Sequence, residues 1–295
     1  MKYLITLLLA LCSNFVLAQV QIVAEQDQNR DLTLLGLNSD KIPYTIRIEF
    51  ILLENLESLE GDILFKTANP GKSTLVKLQS IYSNEKTGFR YNTKLFKGDI
   101  FQRPLYKTIY LPPVEEGTKF NIRPLRFESH PSQNSGLNTY TGTLFLFEKA
   151  VVICAPRKGI VSEIKMDQEP LASGPSNFES ENFIEIYHED GSFSRLSGLQ
   201  KNSARVEIGD TVFPGQEIAE SAIDPNQNLH HVKMIQSHWE MSESGMLWVN
   251  FPVVIFSEQK NISSDQDAED ILAKHPENII QLEMDKKELK KYSKK

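Results

Sequence analysis

The feature that most limits the fold is a run of short, closely spaced apolar segments in the second half of the chain: VVICAP, GIVSEIK, NFIEIYH and SFSRLSGL, beginning at Val151. Each is too short for a helix of ordinary length. The last two are joined by Asp190-Gly191, a pair that tolerates the positive φ of a tight hairpin turn. Further on, VEIGDTVFPGQEIAES (206–221) sets single inward apolar residues between turns at Gly209-Asp210 and Pro214-Gly215. These signals predict an all-β domain over residues 106–257, with an exposed loop between Lys165 and Asn182.

The first part of the chain is strand-like in a different way. YTIRIEFILL (44–53) alternates before turning fully apolar, and STLVKLQSIY (73–82) follows the turn Asn69-Pro70-Gly71. A β-sandwich-like domain over 19–105 is expected, joined to the second through a connector marked by Pro104, Pro112 and Pro113. Residues 258–295 read as a polar, partly helical tail broken at Pro276, with a partial apolar stripe (Ile279, Ile280, Leu282, Met284, Leu289) and six lysines from Lys286 onward.

Two domains suit 295 residues of which 40% are apolar. A net charge of −7 argues against a nucleic-acid partner, which calls for a basic surface. The start, MKYLITLLLALCSNFVLAQV, has the charge, apolar run and small residues of an export signal cleaved after Ala18. Its apolar run is shorter than the roughly 20 residues of a membrane span. Leu11 sits where a lipoprotein site before Cys12 wants a small residue. A secreted or periplasmic location follows, with no transmembrane segment after cleavage. The mature chain then keeps one cysteine, Cys154, inside an apolar run and read as a core residue.

Residues 110–256 resemble, in order, the lysostaphin-like (LytM-type) zinc peptidases of secreted peptidoglycan hydrolases. The resemblance is carried by YLPPVEEG, FESH, VVICAPRKGIVSEIK, the 173–221 stretch and SHWEM with VNFPVVIF. It implies a barrel-sandwich hybrid fold built on a duplicated hybrid motif. It also implies a zinc held by a histidine, an aspartate and the second histidine of a His-x-His strand, which leaves one position for an acidified water.

On that resemblance the aspartate position falls on Leu144, and the assisting histidine of the hairpin falls on Gly198. QSHWEM (236–241) aligns with the last strand, so that His238 stands as a ligand and Gln236 replaces the other assisting histidine. His130 is the candidate first ligand, though a longer insert follows it than the family spacing implies. His231, in Leu229-His230-His231, is a possible substitute. His188 resembles a family histidine that binds no metal. Trp239 and Trp248 are read either as packing or as the platform of a binding groove.

The expectation is therefore a secreted, non-catalytic binder of peptidoglycan peptide or of a cell-wall hydrolase, with no cofactor. The alternative is an active zinc endopeptidase. A biotin or lipoate carrier, suggested by APRKGIV, GDTVFPGQ and Lys233-Met234, fails on spacing, because the modified lysine of a carrier sits in a turn much closer to the Gly-Gln pair.

Overall fold

The computed structural model describes residues 19–127, 139–169, 181–224, 229–243 and 245–293. The segment 1–18, expected to be an export signal, and His130 lie outside them.

The described chain is almost entirely β. In the N-terminal unit, Val20–Gln26, Leu32–Asn38, Gly71–Ser80 and Leu56–Ser58 form one antiparallel sheet, and Ile63–Ala68, Tyr44–Glu54 and Gly88–Lys97 form another. Alternation along the central strand buries Ile46, Ile48 and Phe50 against Leu34, Leu75 and Leu78 of the facing sheet, which makes a small sandwich.

The C-terminal unit is organised by one long strand, Leu229–Ser242. It is flanked by the hairpin Phe183–Tyr187 and Phe193–Ser197 on one side and by Thr139–Phe147 and Lys119–Phe127 on the other. Gly191 takes φ +82° in the hairpin turn, as the Asp-Gly pair requires. The inner sheet face, with Phe145, Ile184, Ile186, Leu196, Val232 and Met234, packs on Ile153, Ala155, Val212, Ile218 and Ile255 from the shorter strands below it. A core of this size, at roughly 1.5–3 kcal/mol per large buried side chain before entropy is counted, holds the long strand in a single register.

The C-terminal end of this unit extends beyond the boundary expected from the sequence, while its start follows a connector that touches both units. The last strand of the sandwich ends at Lys97; Gly98 and Ile100 still bond the Thr45 hydroxyl, and further on Leu105 N donates to Asp190 at 2.8 Å. Residues beyond 257 do not form a separate tail. Ile262–Ser263 pairs with Val254–Ile255, Ala268–Leu272 pairs with the edge strand Lys119–Phe127, and Ser264 and Ala273 are fully buried. Among the described residues only Glu277–Ile280 and Lys286–Tyr292 are helical; the latter opens on a capping box made by Asp285 and Glu288. Neither is long and apolar enough to cross a membrane.

The two units share a contact surface. Tyr187 and Phe193 enter the sandwich core, Lys97 bridges Glu163 and Glu185, and Trp239 Nε1 donates to Lys97 O at 3.0 Å.

Candidate functional site

The long strand pairs with Phe193–Ser197 without a register shift, so its side chains alternate strictly between faces. Val232, Met234, Gln236 and His238 point inward. His231, Lys233, Ile235, Ser237 and Trp239 point outward. Leu144 lies directly opposite Lys233, and Leu146 directly opposite His231, so both are on the outer face.

That alternation corrects the sequence reading. Leu144 and the pair Gln236/His238, expected around one cleft, are on opposite sides of the sheet. The residue that shares a face with Leu144 is His231, whose Nε2 lies 2.7 Å from where a Cβ on Gly198 would stand. Gly198 has φ +80°, so the backbone as well as the ring favours glycine there.

On the inner face His238 is 4% exposed and capped by the connector between the units. Its Nε2 lies 3.1 Å from Tyr106 Oη and 3.2 Å from Glu240 Oε1, and Phe251 packs edge-on against its ring. Gln236 is fully buried, and neither side-chain amide atom has a hydrogen-bond partner. His188, also fully buried, donates from Nδ1 to Lys158 O and accepts from Ser194 Oγ at Nε2, each at 2.7 Å. Burial, aided by the nearby Arg157 charge, lowers its pKa to about 3, so the ring is neutral. Cys154 is buried and its thiol is pushed up to about 12, chiefly by burial and then by Glu217 and Glu115, as suits a core residue.

The outer face carries a cluster that the sequence reading did not single out. Lys233 forms an ion pair with Glu181, and both side chains are close to nine-tenths buried. Ser197 lies directly opposite Lys233, and Arg195 is two residues along the same face with its guanidinium 3.6 Å above the Phe183 ring. Glu181 Oε2, Arg195 Nε and the fully buried Ser197 Oγ have no hydrogen-bond partner. Leaving such atoms unpaired costs about 1–3 kcal/mol each. The available signal was a lone charge in each of two apolar strands, Arg195 in FSRLS and Lys233 in HVKMI. Lys233 sits mid-strand in an ion pair, which is no place for a carrier's modified lysine.

Among the described residues, which do not include His130, neither face carries a set of zinc ligands. Beside His231 stand Leu144, Leu146, Ala222 and Gly198, and the nearby Glu181 already engages Lys233. His238 faces a phenol and one carboxylate. Among the described residues no three His, Cys, Asp or Glu side chains group as a metal site would require.

The tryptophans do not line an open groove. Trp239 and Trp248 meet edge to face at 4.9 Å; Trp239 also packs on Phe96 of the sandwich and Trp248 on Phe193, so the pair forms part of the seam between units.

No protein-family profile matches this sequence. No curated protein matches it either. Among solved structures, it is similar to a chain in the crystal structure of the SpoIIIAH and SpoIIQ complex, with 18% identity over 48% of this chain and 95% of that one and a TM-score of 0.32. A zinc-containing peptidase from Vibrio cholerae is similar at 12% identity over 80% and 56% of the two chains, with a TM-score of 0.30. Helicobacter pylori Csd3, in its orthorhombic crystal, is similar at 9% identity over 92% and 82%, with a TM-score of 0.32. At such scores these are likenesses only, and the chemistry of the chain rests on its own side chains.

Proposed function

We propose that the protein is an exported, non-catalytic binder of the lysostaphin-like type, and that the outer face around His231, Lys233, Glu181, Arg195 and Ser197 recognises cell-wall peptide. The observation that carries the reading is the set of three unpartnered polar atoms on that face. Glu181 Oε2 accepts only, Arg195 Nε donates only, and Ser197 Oγ does either. A peptide group, which offers one N–H and one C=O, has the donor and acceptor that these buried atoms lack, and reaching them requires the side chains above them to move apart. Catalysis by zinc is disfavoured by the residues themselves: a leucine pair, a glycine and an alanine stand around His231. A cell-wall hydrolase presenting an extended segment is a protein-borne form of the same ligand chemistry.

Co-sedimentation of the mature protein with purified murein sacculi tests this reading. Binding should be saturable, fall about tenfold (about 1.4 kcal/mol) in Arg195→Ala, and release no soluble peptide. Stoichiometric zinc together with peptide release lost in His231→Ala would overturn it, as would a wild-type protein that stays in the supernatant.

A further inference from the structure

The hairpin formed by the far end of the long strand and Gly245–Asn250 ends the sheet on an edge that no strand among the described residues covers. Phe251 N donates to Gln236 O at 3.0 Å, which fixes the hydrogen-bonding parity of the ladder. The bonded pairs are therefore 238/249, 240/247 and 242/245, while Met246, Trp248 and Asn250 direct their own N–H and C=O away from the hairpin. Beyond the hairpin, the Asn250 side chain donates to Thr141 O at 3.2 Å and the Trp248 ring packs on Phe193. The backbones of Met246 and Trp248 have no partner among the described residues.

Edge strands of soluble proteins are normally protected by a lysine, a proline or a bulge. Gly-Met-Leu-Trp-Val-Asn has none of these, and its pairing with the long strand shows no register shift. Its side chains are exposed as well: Leu247 is 49% and Trp248 41% accessible, with Met241 beside them at 67%.

The geometry points to a second copy of this chain as the occupant: two Gly245–Asn250 edges pair antiparallel across a twofold axis and continue the sheet from one protomer into the other. A register that uses the open groups of Met246 and Trp248 alone sets Met246 opposite the partner's Trp248 and places Leu247 opposite the partner's Leu247 on the axis. About four main-chain hydrogen bonds form in this way. The choice of a copy over an unrelated strand rests on self-complementarity. The chain as a whole carries a net charge of −7 and repels itself, yet this strand has no charge at all, so no like charges face each other across the axis. Leu247 on one face and Trp248 on the other supply apolar area for a compact isologous contact.

Light scattering after size exclusion, with the mature protein loaded from about 1 to about 100 µM, should show a dimer whose population grows with concentration. Met246→Pro removes an outward N–H and leaves every bond of the hairpin in place, so it should raise the dimer dissociation constant at least about tenfold with an unchanged circular dichroism spectrum. Leu247→Lys, which alters the side chain at the axis and no main-chain group, should do the same and serves if the proline variant folds poorly. A wild-type protein that is monomeric throughout the range overturns the proposal. So does a dimer that survives both substitutions, or a monomer whose edge is instead taken by an added unrelated strand peptide.

Discussion

Two arginines in the C-terminal unit make an instructive contrast. Arg157 is 2% exposed and saturated: Nη1 reaches Asp190 at 2.8 Å and Tyr110 at 3.2 Å, while Nε and Nη2 hold Glu283 at 2.9 and 2.6 Å. Asp190 in turn receives Leu105 N and the Ser192 hydroxyl. The burial of Asp190 pushes its pKa up, and the Arg157 charge outweighs this, so its carboxyl lies below the usual range. Arg195 has a ring beneath it and an unpartnered Nε, beside a carboxylate oxygen and a hydroxyl in the same condition. The first cluster is complete within the chain and joins connector, hairpin turn and C-terminal segment. The second leaves three polar atoms unpaired. Counting satisfied atoms distinguishes the two clusters where burial and charge alone do not.

Breaking the saturated cluster should have the largest effect. Arg157→Ala leaves Asp190 buried without its counter-charge, and a loss of about 3–5 kcal/mol is expected in urea unfolding. A loss below about 1 kcal/mol would remove the distinction between the two clusters.

The next effect is a pH dependence. The His188 ring is neutral in the folded protein, with a pKa of about 3, whereas an unfolded histidine takes up its proton near 6.5. Between those values the unfolded chain binds the extra proton, so the stability due to this residue is complete above pH 6.5 and falls as the pH drops toward 3. His188→Gln should flatten the acid limb of melting temperature against pH, and an unchanged limb would refute the assignment of a neutral buried ring.

Gln236 tests the unsatisfied side of the contrast without involving the proposed ligand. Gln236→Leu exchanges two unpaired buried polar atoms for a similar apolar volume, and a gain of about 1–2 kcal/mol is expected in the same unfolding experiment. A loss would mean that the amide is paired, for instance with a buried water. The smallest effect on folding belongs to Ser197→Ala, within about 1 kcal/mol of wild type, but sacculus binding should weaken. Equal binding by this variant would take Ser197 out of the site.

Much of the architecture is legible in the residues. The Asp190-Gly191 hairpin and the turns at Gly209 and Gly215 are where the composition places them, each with its glycine at positive φ. The burial of Cys154 follows from its apolar run. The candidate site is less legible, and the reason is arithmetic. Side chains on a strand repeat every two residues, and the long strand begins at Leu229, well before the stretch QSHWEM from which it was first recognised. From His231 to His238 is seven positions, an odd number, so the two histidines face opposite sides of the sheet. A motif matched by composition at 236–238 therefore lands on the core side. The C-terminal segment misleads for another reason: Ile262–Ser263 and Ala268–Leu272 are too short to show a period, and they become strands only because sheet edges are there to receive them.

The sequence by itself determined an all-β chain in two units, the positions of the tight turns and the burial of Cys154, because these depend on local conformational preference and on short-range alternation. Tertiary structure alone decided which histidine shares a face with Leu144, that the tryptophans close a seam, and that Glu181, Arg195 and Ser197 stand together with unpaired atoms. Those outcomes depend on strand register and on contacts between residues far apart in the chain, where one position's shift moves every side chain to the other side.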